Sequence, residues 1–240
     1  MTATTKSALI TGASSGIGKA TAIAFANAGI DVALVSRTPE KLVAVANTIE
    51  QIGVRVKTYT LDLSIVEHVQ TKISAIAADF GAVDILVNNA GMGYTGNLTE
   101  TSLSDWQSVM NLNLTSVFQC ILGVLPMMRD RGTGTIINIA SIAGSQPFPG
   151  WGAYSVSKAG LIALSKTLAA EERANGIRVT AVCPGAVNTN LWDTDTVHIN
   201  FERSAMLTPE SVAQSILLAA LLPTQATISE LTLMPSAGVL

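Results

Sequence analysis

The stretch Tyr154-Ser155-Val156-Ser157-Lys158 sets a phenol and an ammonium four residues apart at the head of the apolar run Ala159-Gly160-Leu161-Ile162-Ala163-Leu164. In a helix the two side chains share a face, with Cβ atoms about 5–6 Å apart. A phenol has an ordinary pKa of about 10, so acid–base work near neutral pH needs a neighbouring positive charge to stabilise its anion. The pair could therefore act together in acid–base chemistry. It equally suits a surface tyrosine lying on a lysine stem. Ser141 closes the β-branched stretch Thr135-Ile136-Ile137-Asn138-Ile139-Ala140. It reads either as a hydroxyl stabilising charge on a substrate oxygen or as a turn cap.

A second constellation lies near the N-terminus. Thr11-Gly12-Ala13-Ser14-Ser15-Gly16-Ile17-Gly18 follows a strand-like segment and opens a helical one. Gly12, Gly16 and Gly18 let the backbone turn tightly and approach a pyrophosphate, which would meet the helix amides and the positive end of its dipole. The spacing G-x-x-x-G-x-G departs from the usual dinucleotide fingerprint, and a structural tight turn is the alternative. The second strand ends at Ser36-Arg37, where an acid would accept hydrogen bonds from an NAD ribose. No acid is present, and the planar, permanently charged fork of Arg37 suits a 2′-phosphate, so NADP(H) is expected over NAD(H).

The intervening elements must bring these groups together. Strand patterns fall at 7–11, 31–36, 54–60, 84–88, 134–140, 177–183 and 228–233, and helical patterns at 16–28, 39–52, 65–79, 104–130, 153–175 and 209–221. Alternation of this kind predicts right-handed crossovers and an α/β fold: a single-domain, Rossmann-like, doubly wound parallel sheet over residues 1–240. Hydrophobic residues at 48% against 13% charged fit a sheet covered on both faces. Ligands on such sheets bind beyond the carboxyl ends of the strands. Residues 189–208 show no period and carry aromatics, which reads as a substrate flap or as a long surface excursion.

Several classes are set aside. A net charge of −3 without a basic run speaks against nucleic acid as a partner. Met1-Thr2-Ala3-Thr4-Thr5-Lys6 has none of the features of a signal peptide, and no uninterrupted apolar run approaches the about eighteen residues of a membrane span. A soluble, cytoplasmic protein without a membrane partner is expected. Cys120 and Cys183 read as reduced structural thiols, and His68 and His198 form no metal or triad pattern. Phe148, Trp151, Trp192 and Met206 are candidates for an apolar substrate wall or for ordinary packing. Arg129, Arg131 and Arg173 read as a patch for an acidic carrier protein or as scattered surface charge. Helix 153–175 is apolar nearly all round, so its second face is expected to meet a partner subunit in a homo-oligomer, a tetramer or dimer.

The motifs, in order, are Thr11-Gly12 to Gly16-Ile17-Gly18, Asp62-Leu63, Asn88-Asn89-Ala90-Gly91, Asn113, Ser141, Tyr154 with Lys158, and Pro184-Gly185 with Thr189. Over essentially its whole length the chain resembles the short-chain dehydrogenase/reductase family. The resemblance implies a catalytic set of Asn113, Ser141, Tyr154 and Lys158, with Asn113 distorting its helix and holding a water that relays protons from Lys158. It implies phosphate contacts from Ser14, Ser15, Gly16, Ile17 and Gly18, adenine contacts from Asp62 and Leu63, and ribose contacts around Asn89, Ala90 and Gly91. The segment Pro184, Gly185, Val187 and Thr189 would meet the nicotinamide. Many NADP-preferring members carry a basic residue where this chain has Ser15, leaving most phosphate recognition to Arg37. The implied activity is NADPH-dependent reduction of a small-molecule ketone to a secondary alcohol. A 3-ketoacyl carrier-protein or CoA reductase is the alternative, and a non-catalytic NADP(H)-binding sensor or scaffold a further one. The C-terminal Ile228-Ser229-Glu230-Leu231-Thr232-Leu233-Met234-Pro235 lacks the Gly-Gly-rich ending common among ketoacyl reductases, which favours the simple ketone.

Overall fold

Continuous Val, Ile, Leu and Ala runs, with no polar alternation, fold as strands covered on both faces. In the computed structural model, which describes residues 5–199 and 202–238, these are β1 (Ser7–Thr11), β2 (Asp31–Ser36), β4 (Ile85–Asn88), β5 (Gly134–Ile139) and β6 (Ile177–Pro184), nearly all of whose residues are buried. The opening Met1-Thr2-Ala3-Thr4, part of the stretch read as lacking a signal peptide, and positions 200–201 of the expected flap lie outside the described residues, as do 239–240. The edge strands β3 (Val56–Thr60) and β7 (Glu230–Leu233) alternate exposed and half-buried positions, as edges must. All strands are parallel, in the order β3-β2-β1-β4-β5-β6-β7.

Side chains alternate across the sheet. Ala8, Ile10, Val32 and Leu34 face α1 (Gly16–Asn27), α2 (Pro39–Glu50) and α7 (Pro209–Leu221), while Leu9, Ala33 and Val35 belong to the core under α3 (Val66–Phe80), α5 (Ser116–Arg131) and α6 (Gly152–Glu172). The result is the doubly wound sheet expected, with its order reversing between β1 and β4.

The helix expected at 104–130 is compound: α4 (Leu103–Met110), a π-helical turn (Asn111–Thr115) and α5. No uninterrupted apolar run of membrane-span length occurs in it, yet Leu103–Arg131 is long and apolar enough by length and composition to cross a membrane, at a mean hydropathy of 1.5 in its most apolar window. Half of that window is buried within the fold, where Val117, Cys120, Val124 and Met128 pack into the core, so it serves as a core helix.

A buried polar ladder crosses the second core. Asn88 donates to Asn138 Oδ1 at 2.9 Å, Asn138 to Ser165 Oγ at 2.9 Å, and Ser165 to the Leu161 carbonyl at 2.7 Å, joining β4, β5 and α6.

Candidate active site

The order reversal opens a cavity of about 930 Å³ beyond the carboxyl ends of the strands. Its floor is the β1–α1 turn. Gly12 and Gly16 take φ of 63° and 52°, which glycine adopts without strain. A Cβ on Gly12 would lie 2.9 Å from the Ala90 Cα. Gly18, expected among the phosphate contacts, does not line the cleft: a Cβ there would come 2.3 Å from the Gly12 carbonyl oxygen, so its role in the fold is to let α1 begin directly on the turn. Ser14, Ser15, Gly16 and Ile17 do line it. Ser15 caps α1 without a side-chain hydrogen bond and no acid occupies the first turn, so the amides there have no side-chain partner. That arrangement fits a pyrophosphate.

Hydrogen bonds brace the turn. Ser14 and Ser36 share a hydroxyl contact of 2.8 Å, and Asn89 and Ala90 donate their backbone N–H to Thr11 Oγ1 at 3.0 and 3.1 Å. The Asn89 side chain returns to the carbonyls of Thr11 and Gly12 at 3.0 and 3.2 Å. Asn89 therefore stitches the junction together as well as lining the cleft with Ala90 and Gly91.

At one end the lining is Ser36, Arg37, Lys41, Asp62 and Leu63. Asp62 accepts the backbone N–H and hydroxyl of Ser64 at 2.9 and 2.7 Å; these bonds, with a smaller contribution from Arg37, hold its carboxyl below the usual range. Neither Arg37 nor Lys41 forms an ion pair among the described residues. Lys41 was missed in the sequence, where it reads as helix surface. The available signal was its place in the first turn of a helix opened by Pro39, since helical side chains lean back towards the N-terminus and here towards the cleft.

At the other end, α6 begins at Gly152, which places Tyr154 in its first turn and Lys158 one turn later. Lys158 is 5% exposed and donates to the Ile139 carbonyl at 2.8 Å; burial pushes its ammonium down to about 8. Its Nζ lies 5.7 Å from the centre of the half-buried Tyr154 ring. Of the two readings of Ser141 the cap is observed, Oγ accepting the Ala143 N–H at 3.1 Å, and the hydroxyl also engages Tyr154 by a hydrogen bond. Burial pushes the Tyr154 phenol up, opposed by that hydrogen bond. The lowering expected from Lys158 does not contribute: burial, opposed only by Ser141, sets the direction.

Asn113 is fully buried within the π-helical turn and does not line the cleft. Such turns widen a helix by one residue and are frequent at functional sites. Its amide accepts the Met92 N–H at 2.8 Å and donates to the Met92 carbonyl at 2.9 Å and Ser157 Oγ at 3.1 Å. It holds the loop after β4 against α6.

Pro184, Gly185, Val187 and Thr189 continue the lining after β6, and Phe148, Trp151, Leu191 and Trp192 wall the space beside Tyr154. Of the two readings of Met206 the structure shows ordinary packing, buried away from the cleft, while Met234 lines the cleft beside Gly185. Met234 follows β7, whose carboxyl end opens on the same edge of the sheet, and that placement was its available signal. Asp193 and Asp195 stand exposed at the lip, Asp193 paired with Arg203.

The arginine patch does not form at the cleft. Arg129 pairs with buried Glu172 and Arg131 with Asp84 at 2.6 Å, and with Arg173 they lie where α5 and α6 end, beside the amino ends of the strands. Among the described residues no His, Cys, Asp and Glu cluster is arranged to hold a metal.

A cleft built this way, on a sheet of this order, defines a dinucleotide-dependent oxidoreductase of the doubly wound class. Residues 6–199 match the family described as short chain dehydrogenase, and the chain belongs to that family. It is 41% identical over 196 residues to a 3-oxoacyl-[acyl-carrier-protein] reductase of Synechocystis, covering 79% of this chain and 77% of that one. A reductase of the same name from Thermotoga maritima is 35% identical over 221 residues, 90% of each chain. Among solved structures, an alcohol dehydrogenase of Thermococcus sibiricus complexed with 5-hydroxy-NADP superposes with a TM-score of 0.88 at 30% identity over 97% of both chains. A variant of actinorhodin polyketide ketoreductase with NADPH gives 0.86 at 31% identity, over 98% of this chain and 97% of that one.

Replacing Arg37 by Asp is expected to weaken NADPH binding about tenfold or more and to leave NADH binding nearly unchanged. Titration of the tryptophan fluorescence with each nucleotide measures this, and an unaltered preference would remove Arg37 from phosphate recognition.

Proposed function

We propose that the protein is an NADPH-dependent ketone reductase. The observation that carries this reading is the meeting of Tyr154, its hydrogen-bonded Ser141 and the buried Lys158 at one end of a cleft whose other end offers Arg37 and Lys41, two cations without an ion pair among the described residues. The NADP and NADPH held by the solved relatives support the cofactor. Bound NADPH supplies the hydride. The hydroxyls of Ser141 and Tyr154 hold the substrate oxygen, and Tyr154 gives up its proton as charge develops there. A phenol pushed up by burial stays protonated at neutral pH, which is the state that reduction requires. Lys158 then offsets the charge left on the phenolate, and its own lowered pKa of about 8 means that this help fades as pH rises past that value. Asn113 fixes the loop at Met92, and its second Oδ1 lone pair is available to a water between it and Lys158.

The aromatic wall beside Tyr154 and the exposed acids at the lip favour an uncharged, apolar ketone. An acidic carrier protein or a phosphate-bearing thioester would meet repulsion from Asp195, Asp193 being paired with Arg203. The second reading, reduction of a 3-oxoacyl thioester, draws on the names of the Synechocystis and Thermotoga relatives. Following NADPH oxidation with an aryl ketone, an oxo ester and acetoacetyl thioester at matched concentrations separates them. Faster turnover of the ketones is expected, and a strong thioester preference would replace the first reading by the second. No oxidation with any of them would leave the nucleotide-binding sensor.

Tyr154→Phe is expected to bind NADPH normally and to lose about 10²–10⁴-fold in turnover, as removal of a general acid does. Turnover close to that of the parent would sink the scheme. Phe118 and Val156 stand 42% and 46% exposed on the α5 and α6 faces turned from the sheet, and the groove between these helices is lined by Leu122, Leu125 and Leu164. A second copy of this chain is the proposed occupant of the groove, so light scattering at micromolar protein is expected to give a dimer or tetramer, and a monomeric mass would refute it.

A further inference from the structure

Resting on the reading of Tyr154 as proton donor, we infer that Trp151 is a positioning residue for Tyr154, held in place by Trp192 from the segment after β6. The local structure of α6 first suggests it. Trp151 occupies the N-cap of the helix and offers no side-chain oxygen to the first-turn amides, where Ser, Thr, Asp or Asn would normally sit. The turn that carries Tyr154 therefore lacks the usual cap. It is held by packing instead.

That packing is specific. The Trp151 indole is 7% exposed and meets the Tyr154 ring edge-on, with centres 5.2 Å apart and planes at 65°. Trp192 meets the same indole edge-on at 5.8 Å and 74°. Both geometries are those in which the positive edge of one ring faces the negative face of another. Trp192 is itself tethered, its Nε1 donating to the Val187 carbonyl at 2.8 Å. The backbone of Trp151 bridges to Gly96, whose N–H donates to the Gly150 carbonyl at 2.8 Å. The Tyr154 ring is thus confined between an anchored indole and the Lys158 ammonium.

Proton transfer needs the phenol hydroxyl within hydrogen-bond reach of the substrate oxygen, and small displacements of a reacting group lower rates steeply. A wall residue and a positioning residue differ in what their removal does. Loss of a wall changes KM and the ranking of small against bulky ketones. Loss of a positioning residue lowers kcat for every ketone, including one too small to reach the indole.

The test is steady-state kinetics on Trp151→Leu, Trp151→Phe, Trp192→Leu and the double Leu variant, using butanone and an aryl ketone, with NADPH affinity measured separately. Trp151→Leu is expected to lower kcat about tenfold for both ketones, with KM for butanone and NADPH affinity within about twofold of the parent. Trp151→Phe should recover most of the loss, since a phenyl edge can replace the indole edge. Trp192→Leu should lower kcat less, and the double variant should be no slower than Trp151→Leu, because both substitutions break one chain of contacts. Unchanged kcat in Trp151→Leu, or an effect confined to the aryl ketone, would overturn the inference. Should Trp151→Leu fail to bind NADPH, the comparison of Trp192→Leu with Trp151→Phe still decides: unchanged butanone turnover in Trp192→Leu, or a loss in Trp151→Phe as large as total truncation would give, refutes it. Failure of the underlying reading looks different, because Tyr154→Phe would then remain active whatever Trp151 does.

Discussion

Thr11 and Asn89 sit where the order of the sheet reverses, and the hydrogen bonds between them govern the geometry of the whole cleft. Neighbouring parallel strands diverge at such a point because their crossovers leave on opposite faces, so the crevice comes with the topology. Its width is another matter. Thr11 Oγ1 takes two backbone N–H groups from the β4 loop, and the Asn89 amide returns to two carbonyls of the β1 turn. The glycine turn on one side and the loop leading to Gly91 on the other are thereby fixed relative to one another. Substrate chemistry, cofactor length and the place of Lys158 all refer back to that spacing.

Desolvation sets the chemical character of the far end. The same burial that holds a proton on Tyr154 loosens one on Lys158, so two groups of nearly equal ordinary proton affinity are pushed apart, the phenol up and the ammonium down to about 8. A more open site would leave the lysine fully charged and the phenol less protected. With charged residues scarce in the chain, few nearby charges act to counter this. Ion pairs lie elsewhere, such as Arg55 with Asp31, Lys57 with Asp79 and Arg129 with Glu172, away from the reacting groups.

How much of this could be read from the residues alone depended on how local the cause was. Strands such as Asp31–Ser36 and helices such as Pro209–Leu221 follow from hydrophobic period, Pro at the first helical position and a Thr cap, all within a few residues of each other. The cleft-lining positions of Ser14, Arg37, Ser141, Tyr154 and Lys158 follow once each is placed at a strand's carboxyl end or a helix's first turn. Gly18 was misplaced because its close contact, the Gly12 carbonyl oxygen, arises from the way the turn doubles back, which spacing does not reveal. Met234 went unread for a similar reason: it sits in weakly periodic C-terminal sequence, and only the position of β7 on the sheet shows that it reaches the cleft. Of the two readings of the arginines, scattered surface charge is the one the structure shows. Arg129 and Arg131 close α5 at the wrong end of the strands.

Helix α6 is apolar almost all round, and such a surface would pack nearly as well one turn higher or lower. The ladder from Asn88 through Asn138 to Ser165 removes that freedom. Buried amides lose their partners under any slide, and the loss is heavy in a medium of low polarity. A one-turn displacement would carry Tyr154 and Lys158 about 5.4 Å along the helix axis, out of line with Ser141. The ladder therefore acts as an index mark: it gives the helix a single address on the sheet, and the accuracy of the site is written in three neutral side chains that never touch a substrate.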